Sequence, residues 1–262
     1  MEIGAFSEML GIETIFEGIP QFLIVCLILA LAEMVYVLLG FGAGLIAVGT
    51  MALLMPGLQD AVVLLLLVNL PAELWVVRAS WRKISWRGVL VIFVGVAAGI
   101  PVGAFLLRWG EARILLVALG IFLVVVGSIF LAVRAPRGRE MKSWISAPVG
   151  LVSGILTGLF GTGGPPLILY YQRSGADKAT FRGNLMAICL LMTTVRVPSS
   201  AAFGLITGPR LWSALLVLPA VVLGAVIGNR IHLRIEESTF RRLVSTALVI
   251  IGLLLLIPAA RS

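Results

Sequence analysis

Histidine occurs once and cysteine twice in the 262 residues, and only 12% of residues are charged. A single histidine, His232, set in a basic loop, cannot build a histidine-rich metal site or a Ser-His-Asp relay. No HExxH or GxSxG pattern occurs either. An intramembrane enzyme is therefore the least favoured reading, and nothing in the sequence calls for a cofactor or a metal. Cys26 and Cys189 lie far apart inside apolar runs and read as packing residues, not as a disulfide. The first 20 residues hold Glu2, Glu8, Glu13 and Glu17 and no lysine or arginine, the opposite of the basic start of a secretory signal. They read instead as an amphipathic, extracytoplasmic segment lying at a membrane interface. A soluble domain carries about twice this charged fraction, which excludes that class.

What the chain has in place of charge is hydrocarbon: 60% of residues are hydrophobic and the mean hydropathy is +1.13. Apolar runs occupy residues 22–39, 45–55, 61–77, 89–107 and 114–133, and then 145–160, 167–171, 185–206, 211–227 and 243–257. This predicts an all-α, polytopic transmembrane helical bundle. The net charge of +8 comes in short clusters between these runs. That pattern fits cytoplasmic loops obeying the positive-inside rule and gives no reason to expect nucleic acid. The expected partners are membrane lipid and a small anion. All six tryptophans fall near segment ends, where interfacial anchoring accounts for them.

Two of the runs are broken by residues that disfavour helix. "LLGFGAGL" (38–45) and "LFGTGGPP" (159–166) place glycine and proline, about 1 and 3 kcal/mol worse than alanine in a helix, inside apolar sequence. The two breaks are part of a wider match between the halves. Gly40 and Gly42 pair with Gly161 and Gly163 at an offset of 121, Trp86 with Trp212 at 126, and Gly99, Gly103 and Gly127 with Gly224, Gly228 and Gly252 at 125. Each half reads as a glycine-broken pair of segments, a helix, a Trp-led helix with small-xxx-small spacing and a closing helix. The glycine spacing allows close helix crossing and makes pairing of two copies of the chain an expectation. The organisation that follows is an N-terminal segment (1–20), a first repeat (21–134), a basic linker (135–143) and a second repeat (144–258).

Charge supplies the orientation. The regions around Arg78–Arg87, Arg134–Lys142, Arg173–Arg182 and Arg230–Arg242 are basic, whereas "PGLQD" (56–60) is not. All four basic regions fall on one side if each broken pair returns to the side it started from. Five segments per half then turn the second repeat upside down, an inverted-repeat topology used by many secondary transporters. Both termini would be extracytoplasmic, against which Arg261 counts mildly.

Backbone freed by a helix break is tolerated in a bilayer only against protein or a water-filled cavity. The helix starts that follow the two breaks have free N–H groups and positive dipole ends suited to an anion. Gly42, Gly44, Gly163 and Gly164 are thus candidate substrate contacts, with Thr162 beside them. Arg196 interrupts an apolar run and is the expected countercharge, with Arg182 less favoured; Thr194, Asn184 and Asn69 are candidate hydrogen-bonding groups. Glu33 and Glu73 are acids within apolar spans and are candidates for proton coupling.

At these motifs the chain resembles the sulfite exporter TauE/SafE family of membrane permeases. The resemblance rests on "GFGAG" (40–44), Trp86-Arg87 followed by "GIPVGAFLL" (99–107), "GTGGPPLILYY" (161–171), and "FRGNL" (181–185) with Arg196 downstream. It covers roughly residues 22 to 257 and is clearer in the second half; Glu73 departs from the pattern. The resemblance implies export of a sulfur-containing anion such as sulfite, sulfoacetate or another sulfonate across the cytoplasmic membrane. The expectation is a secondary transporter working by alternating access, with a passive anion channel as the alternative.

Overall fold

The computed structural model describes residues 11–39, 43–80, 84–132, 145–172, 178–231 and 237–261. Among these residues it contains ten α-helices and no strand: α1 Ile19–Leu39, α2 Ala43–Leu54, α3 Leu58–Ser80, α4 Trp86–Trp109, α5 Ala112–Ala132, α6 Ser146–Phe160, α7 Gly164–Gln172, α8 Lys178–Ala202, α9 Gly208–Ile231 and α10 Glu237–Arg261. They follow the ten apolar runs in order. Several helices are longer than the runs, because hydropathy marks only the apolar part of a helix; α8 begins in "KATFRGN", before its run. Helix α8 also ends sooner than its run, since the chain reverses at Gly204, with φ +68°. Within the N-terminal segment, residues 11–18 are not helical. Gly11 there adopts φ +65°, and Phe16 is buried with its ring edge against Phe22.

The helices present hydrocarbon outward. On α1, Leu23, Leu27 and Leu31 are exposed along one stripe, while Val25, Leu29, Ala32 and Tyr36 are buried. Leucine spaced by four on an open face would be a strongly unfavourable surface in water, and is what a lipid-facing helix requires. Helices α1, α4, α5, α8 and α9 each contain a stretch long and apolar enough to cross a membrane.

The chain divides into two compact units that cut across the two sequence halves: Met1–Val68, Glu111–Leu131 and Gly204–Ser262 form one, and Asn69–Gly110 and Ala132–Phe203 the other. In the second unit, α4 and α6 run parallel through a glycine crossing. A Cβ on Gly99 would lie 3.0 Å from the Cα of Gly154, and one on Gly103 would lie 2.9 Å from the Cα of Gly158. With Gly95 against Gly150, six glycines bring the two backbones together over three turns. In the first unit α1 and α9 also run parallel, with Gly224 against Ala30 and Gly228 against Met34. Helices α5 and α10 of that unit run antiparallel, Gly120 meeting Gly252 and Gly127 meeting Ser245.

Polar side chains fix the start of the fourth helix of each half. Asp60, in the first turn of α3, pairs with Arg210 in the first turn of α9 (Nε–Oδ1 2.7 Å), and Arg210 also donates to the Leu205 carbonyl at 2.6 Å. In the other unit, the side-chain oxygen of Asn184 on α8 accepts from the N–H of Ser85, the residue just before α4, at 2.7 Å. In both units the third helix of one half holds the fourth helix of the other.

Candidate functional site

The break after α6 is a reversal of the chain. Gly161 closes α6 in the left-handed conformation, φ +72°, with its N–H bonded to the Thr157 carbonyl at 2.9 Å. Such a cap ends a helix with its last carbonyls satisfied, and glycine adopts it without a Cβ penalty. The chain then folds back along α6. The Ser153 hydroxyl donates to the Gly163 carbonyl, the Thr157 hydroxyl donates to the Ser153 carbonyl at 2.7 Å, and a Cβ on Gly163 would collide with both residues. Gly164 begins α7, and a Cβ there would meet only Ile168 Cδ1, at 3.8 Å.

This arrangement leaves a particular set of donors. The first N–H groups of a helix have no carbonyl above them. In α7 two of those positions are Pro165 and Pro166, which carry no N–H, so the free backbone donors fall on Gly163 and Gly164. Immediately before them, Thr162 is 6% exposed and its Oγ1 has no hydrogen-bond partner among the described residues. Arg196 of α8 is equally buried, and its Nη2 would lie 2.8 Å from a Cβ placed on Gly161. A buried guanidinium thus lies against the left-handed turn, and the residue after that turn carries a buried hydroxyl and leads into the positive end of α7. The C-terminal end of α6 meets the same turn, so its carbonyl dipole supports the arginine charge.

Of the candidate residues, the structure brings together Thr162, Gly163, Gly164 and Arg196. Thr193 and Ser200, three before and four after Arg196 on α8, are buried on its face of the helix. Thr194 is not on that face: it is exposed, and its hydroxyl donates to the Leu191 carbonyl of its own helix at 2.7 Å. Asn184 is buried in the same unit, but its oxygen is engaged by Ser85. Asn69 lies within α3 and Gly44 in the first turn of α2. Glu33 is buried in the other unit. Gly42 and the side chains of Arg182 and Glu73 lie outside the described residues. Ser153 and Thr157, which hold the turn, were not among the sequence candidates. Their spacing of four on α6, four and eight residues ahead of the glycine cap, is the signal that marks them. Among the described residues no cluster of His, Cys, Asp or Glu could hold a metal ion.

The model of the family described as sulfite exporter TauE/SafE matches residues 25–255. The chain is 28% identical to the "Probable sulfite/organosulfonate exporter TauE" of Cupriavidus necator over 84% of its length and 88% of the relative's. It is also 28% identical to the "Probable inner membrane transporter protein TsaS" of Comamonas testosteroni, over 72% of its length and 80% of that protein's. No solved structure matches the chain significantly.

Proposed function

The chain belongs to the sulfite exporter TauE/SafE family, a family of membrane transporters and not of enzymes, and we propose that it is a secondary transporter that exports a small sulfur-containing anion, sulfite or an organosulfonate, across the inner membrane by alternating access. The observation that carries this reading is the buried, unpartnered hydroxyl of Thr162 just before α7, one residue after the Gly161 turn against which the buried guanidinium of Arg196 lies. Keeping a buried hydroxyl without a partner is costly, and a ligand oxygen would remove that cost. An anionic head with three oxygens fits donors at the Thr162 hydroxyl and the Gly163 and Gly164 N–H groups, with Arg196 as countercharge. The organosulfonate exporter named among the relatives supports that chemistry.

The helix directions support the inverted-repeat reading. The closing helices α5 and α10, equivalent in the two halves, run antiparallel, as they must if one half is upside down relative to the other. The reversal after Gly161 likewise supports a broken pair that returns to its starting side. In this reading the basic loops are cytoplasmic, and a carboxyl within the spans couples transport to protons.

The test is exchange of labelled sulfite or sulfoacetate in proteoliposomes. The wild type exchanges substrate, and Arg196→Ala lowers exchange roughly tenfold to a hundredfold, the value of a charge-assisted hydrogen bond. Wild-type exchange in Arg196→Ala rules out the site. Voltage-scaled flux that never exchanges against an opposing gradient marks a channel instead.

A further inference from the structure

Glu33 is 2% exposed within α1, and its Oε1 has no hydrogen-bond partner among the described residues. The helices packed on α1 offer it little compensation. Helix α2 carries no ionisable residue; α9 carries Arg210, bonded to Asp60 at its start, and Arg230, which is exposed and lies two residues past the Gly228 that meets Met34. On α1 itself the other titratable groups are Cys26 and Tyr36. Burying a charge without a partner is strongly disfavoured, so the charged form of a carboxyl placed here is favoured only when water or a cation reaches it.

Its place in the fold gives that acid a meaning. The two parallel glycine crossings can be set in register: Gly99 meets Gly154 where Gly224 meets Ala30, and one turn on, Gly103 meets Gly158 where Gly228 meets Met34. Ala30 therefore corresponds to Gly154 and Met34 to Gly158, and Glu33 takes the position that Thr157 holds in the other unit. Thr157 packs its hydroxyl against Gly163 of the turn while donating to the Ser153 carbonyl of its own helix, and its carbonyl accepts the Gly161 N–H. One unit thus has a hydroxyl below a helix break that faces an arginine. The other has a buried acid at the matching level of its crossing, three residues further from the end of its own helix.

We propose that Glu33 is the proton-binding residue of the transporter. The first unit carries the coupling proton on the Glu33 carboxyl, and the second carries the anion at the Arg196 turn. The proton is taken from water on one side of the membrane and returned to water on the other, and no bond other than O–H forms or breaks. This inference rests on the transport reading above and specifies its coupling group.

The experiment uses the full chain in proteoliposomes with labelled sulfite and two readouts, exchange without a pH gradient and accumulation driven by an imposed one. The wild type shows both. Glu33→Gln, which keeps the shape and cannot ionise, retains exchange and loses gradient-driven accumulation by about tenfold or more, within the usual range of coupling between two sites. Glu33→Asp keeps part of the accumulation. Accumulation in Glu33→Gln equal to wild type overturns the assignment, as does parallel loss of exchange and accumulation, which marks a structural role. A wild type that exchanges sulfite but ignores the pH gradient overturns proton coupling while leaving the anion site standing. A wild type that exchanges neither sulfite nor sulfoacetate overturns the transport reading itself.

Discussion

Thr193 and Thr194 are neighbours in sequence, yet one is buried on the Arg196 face of α8 and the other is exposed with its hydroxyl turned back to its own helix. A step of one residue rotates a helix position by roughly 100°, so side chains adjacent in sequence face different surroundings. Arg196 itself was legible, because a charge inside an apolar run stands out in composition alone. Ser153 and Thr157 were not, since small hydroxyl residues are ordinary in membrane helices; only the fold-back of Gly163 onto them reveals their use. Thr162 is expected to act through its hydroxyl: Thr162→Val should weaken apparent substrate affinity about threefold to tenfold, the value of one neutral hydrogen bond, while Thr162→Ser stays near wild type. Concentration dependence of exchange in proteoliposomes checks this. Gly161→Ala combines a left-handed conformation, about 1–2 kcal/mol unfavourable for a residue with a Cβ, with a collision against Arg196. It should lower both thermal stability and transport.

At the scale of elements, the crossing of α4 and α6 is the most demanding contact. A Cβ on Gly154 would lie 2.9 Å from the Cα of Val96 and 3.0 Å from that of Gly99, with backbone on both sides and no flexible group to yield. Gly154→Ala is expected to destabilise by about 1–3 kcal/mol, the range for overpacking. Gly208→Ala serves as control, because a Cβ at Gly208 would meet nothing within 4 Å. Thermal melting in detergent separates the two variants. The counterpart crossing of α1 and α9 has glycine on one side only, at Gly224 and Gly228, opposite Ala30 and Met34. The glycine spacing announced close crossings in the sequence. It did not announce that Gly99 and Gly103 would meet α6, a helix of the other half, because a small-residue stripe states how near a partner comes and not which partner it is.

For the whole molecule, the interleaving of the two halves is the main departure from a linear reading of the chain. The pairs α1 with α9 and α4 with α6 each join a helix of one half to a helix of the other, and Asp60–Arg210 and Asn184–Ser85 likewise join the two halves. Each unit is therefore complete only with segments from both halves of the chain, which ties its assembly to both halves. Orientation in the membrane is open to a direct measurement. In a background lacking Cys26 and Cys189, a cysteine replacing the exposed Pro56 should react with an impermeant maleimide in intact cells. One replacing the exposed Arg87 should react only after permeabilisation. The reverse pattern overturns the assignment of basic loops to the cytoplasm.

The sequence by itself determined the solvent, the ten helical segments, their order and the places where they break. These depend on hydropathy, glycine and proline, which act locally and are read residue by residue. Tertiary structure alone decided which helices pair, which of two adjacent threonines is buried, and that Arg196 lies against the turn at Gly161 while Glu33 lies in the other unit. Those outcomes depend on the register between segments far apart in the chain, and register is set by packing that no single segment contains.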